Sequence, residues 1–248
     1  MDTPGQLHHP PPSLGALLLD QVRQRGHQPL MTFYGGSERT ELSYATFDNW
    51  ASKTANLLAE ELRAGPGSRI ALGVADHWTG AVVLAAAWKL GAVVVPADNG
   101  SADVLVVAED DATGAAGHPG LVVIGAGMGG RVTGDVAGLA FGDEVLAFGD
   151  DYDDATVTLD AIAFAAGDGA QTQAEQLRTA WGLLDAGDRL LVTASFDSAS
   201  AVTLGLLAPI AAGAALVWCP GLDHDDAAAQ ASAERVTHLL DGPAIRPA

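Results

Sequence analysis

The sequence predicts an α/β fold in which mostly parallel sheets are flanked by helices, and three observations predict it. Short apolar runs without polar alternation, at Val104 to Ala108, Leu121 to Ile124 and Ala215 to Cys219, fit strands buried on both faces. Segments with apolar residues three and four apart lie between such runs, as amphipathic helices require. The stretch from Arg69 to Pro96 reads as strand, helix, strand, the order that pairs two strands in parallel through a crossover.

Taken in order, residues 1–12 carry His8, His9 and three consecutive prolines, and read as an extended or disordered leader. Ser13 is placed to cap a helix whose apolar face is Leu14, Leu17, Leu18 and Val22, stopped by Gly26. Leu30 to Tyr34 is a strand and Gly35-Gly36 a turn. Ser43 caps the next helix, with Phe47, Trp50, Thr54, Leu57 and Leu58 on one face and Gly65-Pro66-Gly67 at its end. Then come a strand from Arg69, a helix from Trp78 to Leu90 and a strand from Gly91 to Pro96. Residues 125–160 turn rich in glycine and acid, which predicts loops and short edge strands and marks a candidate internal division of the 13–248 domain. A strand Ala161 to Phe164, a helix Gln173 to Leu184, a strand Arg189 to Ala194, a helix Ser200 to Ala212, a helix from Asp226 and a strand Val236 to Leu240 complete the reading.

Composition excludes several function classes. Acids outnumber bases 31 to 12, for a formal net charge of −19, and no basic stripe exists to neutralise phosphates. Neither nucleic acid nor an anionic membrane surface is an expected partner. The single cysteine, Cys219, forms no intrachain disulfide, and in its apolar run it reads as a small buried side chain. With no signal peptide or membrane span in the pattern, a cytoplasmic location is expected.

Several segments resemble the adenylate-forming superfamily, the AMP-binding acyl-CoA synthetases and amino-acid adenylation domains. Leu42-Ser43-Tyr44-Ala45-Thr46-Phe47 resembles the Leu-Thr-Tyr-x-Glu-Leu opening of that family. Gly65-Pro66-Gly67-Ser68-Arg69-Ile70-Ala71-Leu72 is similar to its Gly-Pro-Gly-Asp-Arg-Val-Ala-Leu strand entry, with Ser68 in place of Asp. Lys89-Leu90-Gly91-Ala92-Val93-Val94-Val95-Pro96 matches its Lys-x-Gly-Ala-x-x-Val-Pro signature. Phe196-Asp197-Ser198 resembles the Phe-Asp-x-Ser segment of amino-acid-adenylating domains, with Ala199 where that segment has Ser and Ser200 one residue late. The resemblance implies the fold of the family's N-terminal subdomain, in a truncated actinobacterial branch. It also implies a ligand cleft in which Phe196, Asp197, Ser198 and Ser200 are the candidate binding residues, Asp197 toward an amino group. A loop carboxylate capping the following helix is the plainer account of Asp197.

The family grips the triphosphate with a Ser/Thr/Gly-rich loop ending in Pro-Lys-Gly, and in that place the sequence has Ala165-Ala166-Gly167-Asp168-Gly169-Ala170-Gln171. Gly167 and Gly169 remain, but no hydroxyl occurs before Thr172 and no lysine at all. Asp168 adds a like charge where phosphates would lie, worth about 4 kcal/mol at 4 Å and an effective dielectric near 20. The whole chain has two lysines, Lys53 and Lys89. No catalytic residue is therefore assigned, no cofactor is expected, and ATP or AMP binding is doubtful. The leading expectation is a non-catalytic domain that binds a small carboxylate, acyl or amino-acid-like ligand, or a partner protein. A ligase half completed by a partner chain is the alternative.

Gly125-Ala126-Gly127-Met128-Gly129-Gly130, after an apolar run, matches the G-x-G-x-x-G of dinucleotide folds, with Gly125, Gly127 and Gly130 as the cofactor candidates of an oxidoreductase. Gly134 and Gly138 punctuate the helix such a site needs, and a glycine-rich loop is the competing reading. Asp223-His224-Asp225-Asp226 reads as acids favouring a helix N-terminus rather than as a metal site, and the cluster Asp150 to Asp154 as a solvated loop.

Overall fold

The computed structural model describes residues 10–97, 101–167 and 169–248, the side chains of His224 and Asp225 excepted, so most of the expected leader and Asp168 lie outside the described residues. In chain order the strands are β1 Pro29–Gly35, β2 Glu38–Ser43, β3 Arg69–Leu72, β4 Val93–Pro96, β5 Val104–Ala108, β6 Leu121–Ile124, β7 Leu139–Ala140, β8 Ile162–Ala166, β9 Gly169–Thr172, β10 Arg189–Val192, β11 Ala215–Trp218, β12 His238–Asp241 and β13 Ala244–Pro247. The helices are α1 Leu14–Arg25, α2 Tyr44–Leu62, α3 Trp78–Leu90, the one-turn α4 Ala112–Ala115 and α5 Phe141–Glu144, α6 Gln173–Ala180, α7 Ala199–Ala201, α8 Ala208–Ala212 and α9 His224–Ala233.

Two sheets result, ordered β13-β12-β10-β11-β1-β2 and β7-β6-β5-β3-β4-β8-β9. Pairing is parallel except in the hairpins β1-β2, β12-β13 and β8-β9, each of which ends a sheet. Fold class and most elements agree with the sequence reading. β2 and β13 were not foreseen, because their charged and proline-bearing sequences carry no apolar run. Such residues suit edge strands, where charges and a missing N–H discourage further pairing.

One continuous apolar core runs from α1 through both sheets to β11, with α1, α2, α3, α6 and the 199–212 segment contributing to it. α3 is buried along its whole length, as a helix that is apolar all round must be. Gly91 ends it with φ 67°, and this left-handed cap accounts for the glycine in the Lys-x-Gly-Ala signature. Ser13 and Ser43 cap α1 and α2 as expected, accepting from the N–H groups of Ala16 and Thr46. α2 stops earlier than Gly65, at Arg63, whose φ of 55° is left-handed and whose N–H bonds the Leu58 carbonyl.

Both lysines are used structurally. Lys89 of α3 lies 2.8 Å from Asp48 of α2, with side-chain exposures of 4% and 8%. Burial pushes the Asp48 carboxyl above its ordinary value, against the pull of Lys89. Lys53 donates to the Phe148 carbonyl at 2.6 Å and pairs with Asp150 at 2.5 Å. Asp150 to Asp154 is the solvated loop expected, with 150, 151 and 153 exposed, and it is also fastened: Asn56 donates to the Gly149 and Asp151 carbonyls, and Ser13 Oγ donates to Asp154. The segment is a strap fastened across α1 and α2. Gly15 makes room for it, since a Cβ there would stand 2.4 Å from Asp154 and 3.0 Å from Lys89.

The 199–212 helix is α-helical at both ends and π-helical over Val202–Leu207. Gly205 sits in the wide turn, where a Cβ would come 2.6 Å from the ring of Phe196. Phe196 is itself stacked on Trp218, centroids 4.1 Å apart and planes 20° from parallel.

Two stability outcomes follow from this packing. Lys89→Met leaves Asp48 buried without its partner and should cost about 3–5 kcal/mol, whereas the double variant Asp48→Leu, Lys89→Met should recover most of that loss, both read by urea denaturation. Gly205→Ala gains about 1 kcal/mol of helix propensity. It forces the Phe196 ring off its stack at about 1–3 kcal/mol, so a melting curve should show a net loss of a few degrees.

Candidate ligand cleft

The carboxyl ends of β3, β4 and β8 in one sheet meet the carboxyl end of β10 in the other. Between them lies a cleft of about 260 Å³, floored by Val94, Pro96 and Phe164 and rimmed by Asp76, Ser195 and Asp197. The two sheets are tied at this point: the Phe196 N–H donates to the Ala75 carbonyl at 2.9 Å, and Ser195 Oγ donates to Asp76. A neighbouring depression of about 370 Å³ shares Ser195 and Asp197 and adds Ser198, Ser200 and Gly242.

The expected binding residues thus come together, with differing parts. Phe196 is 1% exposed, so its ring supports the cleft from beneath. Asp197 is exposed at the rim and does not cap the helix that follows; Ser198 does, accepting from the Ala201 N–H at 3.3 Å. That corrects the plainer account of Asp197 and leaves its carboxylate free for another partner. Ser200 lies in the first turn of the same helix, facing the neighbouring depression. Asp76, the second carboxylate at the rim, was not foreseen. Its only sequence signal is its place just after β3.

Where the phosphate loop would stand, β8 and β9 form an antiparallel hairpin. Gly167 turns it with φ 55° and Gly169 opens β9, both exposed. Thr172 is the N-cap of α6 in a reciprocal capping box with Glu175, so its hydroxyl is already engaged. Among the described lining residues of the cleft and the adjoining depression there is no Lys, Arg or His. The arrangement offers a preformed, acceptor-rich cleft with no cation to receive phosphate.

The dinucleotide candidates fold differently from a cofactor turn. Gly125 N–H donates to the Gly130 carbonyl, Gly127 N–H to Arg131 and Gly130 N–H back to Gly127, each at 2.9 Å, so the N–H groups a pyrophosphate would need are spent inside the turn. The first helix to follow among the described residues is the one-turn α5, and its Gly142 N–H donates to the Gly130 carbonyl at 3.3 Å, so the donor at that helix N-terminus is spent on the turn itself. Gly129 and Gly130 adopt φ 73° and 81° and pack against Trp50 and Phe141. The glycines serve a tight turn, which corrects the oxidoreductase reading.

Asp223 caps α9, as the bland reading of the Asp223 to Asp226 run expected. No group of three or more metal-ligating side chains occurs among the described residues. Cys219 is 3% exposed, and burial pushes its thiol up to about 11, so it is an inert part of the core. No helix among the described residues is long and apolar enough to cross a membrane.

Comparison with known proteins agrees with this scaffold. The AMP-binding enzyme family matches residues 18–104. A TIGR03089 family protein from Mycobacterium tuberculosis is 34% identical over 236 residues, covering 91% of this chain and 97% of that one. Among solved structures, the N-terminal domain of FACL13 from Mycobacterium tuberculosis superposes with a TM-score of 0.73 at 19% identity, over 90% of this chain and 61% of that one. The anthranilate CoA ligase AuaEII in complex with anthranoyl-AMP gives 0.73 at 19%, over 92% and 49%. The long-chain-fatty-acid-CoA ligase FadD1 from Archaeoglobus fulgidus gives 0.76 at 14%, over 96% and 52%. The chain therefore spans 49% to 61% of the length of these three solved chains. With a third of its residues shared along almost the whole of both sequences, the chain belongs to the TIGR03089 family and has the fold of the N-terminal domain of adenylate-forming acyl-CoA synthetases.

Proposed function

We propose that the chain is a non-catalytic relative of the AMP-binding enzymes that holds a small ligand in the Asp76–Ser195–Asp197 cleft. The observation that carries this reading is the pairing of β8 with β9: the segment that should wrap a triphosphate is bordered by a strand pair, and the cleft beside it is lined by carboxylates. Adenylation needs charge stabilisation as pyrophosphate leaves, and Asp76 and Asp197 supply the opposite sign. Of the two ligand classes expected from sequence, the same electrostatics favours an amino-acid-like molecule entering ammonium first over a bare carboxylate. A partner protein presenting a basic side chain would satisfy the same groups.

The second reading, a ligase half completed by another chain, draws on the intact scaffold. One measurement separates the two. Pyrophosphate exchange into ATP, assayed with carboxylic and amino acids, should stay at background for the isolated chain, and Mg·ATP should leave its melting temperature unchanged. Robust exchange by the chain alone would overturn the non-catalytic reading, and exchange only on mixing with a lysine-bearing chain would support the second. For the ligand, a thermal-shift series should favour amino acids over their deaminated acids, and Asp197→Asn should remove the difference.

A further inference from the structure

In the seven-stranded sheet the chain leaves β3 toward β4 on one side and leaves β5 toward β6 on the other. The crevice outside the carboxyl ends of β3 and β5 is therefore the topological switch point, where open α/β sheets take up ligands. A cavity of about 620 Å³ opens there, separate from the Asp197 cleft and sharing none of its lining residues. That volume lies within the range of small-molecule sites. The two strands hold together up to Gly73, whose N–H donates to the Val106 carbonyl at 2.8 Å, and part beyond it.

The cavity has a built wall. The turn between β1 and β2, in the other sheet, brings Glu38 over the loop that precedes α3. Glu38 accepts from Trp78 Nε1 at 2.9 Å and pairs with His77 Nε2 at 3.0 Å. His77 Nδ1 accepts from the Thr79 N–H as the cap of α3, so both ring nitrogens are taken. Burial works to raise the Glu38 carboxyl, but the bonds from Thr40, His77 and Trp78 outweigh it and hold the group below its ordinary value. On the opposite wall, Glu109 gives one oxygen, Oε1, to Thr133 N, Thr133 Oγ and Gly134 N, at 2.7–3.1 Å. Its other oxygen and Asp110 remain at the cavity, above the apolar surface of Val74, Ala108 and Ile124. Among the described lining residues there is no Lys or Arg.

We infer that the switch-point crevice is a second ligand site, for a small organic amine whose ammonium meets Glu109 and Asp110 while its carbon chain lies on Val74, Ala108 and Ile124. The pattern is an apolar floor, fixed walls and surplus acceptors, which a nucleotide, phosphate or carboxylate cannot match and an alkylammonium does. The inference is independent of the ligand assigned to the Asp197 cleft.

The test is a titration of the full chain with putrescine, followed by amide NMR shifts. Saturable shifts are expected at residues 108–110 and 133–134, weakening as salt is raised. Asp110→Asn should weaken binding about tenfold, the equivalent of about 1.4 kcal/mol. Glu109→Gln should do the same if the 133–134 loop keeps its shifts, and Asp197→Ala should change nothing. Failure to saturate would overturn the site. So would an unchanged affinity in Asp110→Asn, a loss in Asp197→Ala, or equal binding of uncharged glucose.

Discussion

Lys89 carries its charge into the helical layer between the two sheets, and the ion pair it makes there with Asp48 sets the arrangement around it. The pair fixes α3 against α2, and α1 can cross beside it only because Gly15 has no side chain. Close by, Gln173 accepts from the Leu14 N–H at 2.7 Å and donates to the Trp88 carbonyl at 3.0 Å, so α6 is keyed to the start of α1 and the end of α3. Unpaired polar groups at such depth are costly, which leaves little freedom in how these helices meet. The β3 and β4 ends are thereby set opposite β10, and the cleft at Asp197 follows from that placement.

The same accounting explains why basic chemistry is scarce at the surface of the site. One lysine is spent in the core and the other on the strap over α2. Arg189 and Glu234 pair with each other, and Tyr34 donates to the same Glu234. With 31 acids against 12 bases, most cations are drawn into structural pairs, and the clefts keep the surplus of acceptors.

Much of this was legible in the sequence, and the reason is periodicity. β5 and β6 are the apolar runs themselves, α3 the helix between Trp78 and Leu90, and Ser13 and Ser43 the caps. What was not legible depends on partners far away along the chain. Nothing local shows that Asp150 will meet Lys53, that Asp76 will meet Ser195 across two sheets, or that Glu38 and His77 will face each other. The glycines of 125–130 were legible both as a loop and as a cofactor pattern, and only the inward hydrogen bonds decide for the loop. The π-helical segment is similarly silent, since nothing in its own run shows that the Phe196 ring will lie where a Cβ on Gly205 would stand.

The hairpin between β8 and β9 bears on how much backbone this sheet border can offer a ligand. The strands end at residue 166 and begin again at residue 169, and they are laddered from Ile162 to Thr172. A phosphate-wrapping loop needs several successive N–H groups free of any sheet. Point substitutions at Gly167 or Gly169 leave the strand count and the connection length as they are, so they change side chains without freeing backbone. Only added residues would lift the segment off the sheet border. Freeing backbone there is thus a matter of length rather than of identity.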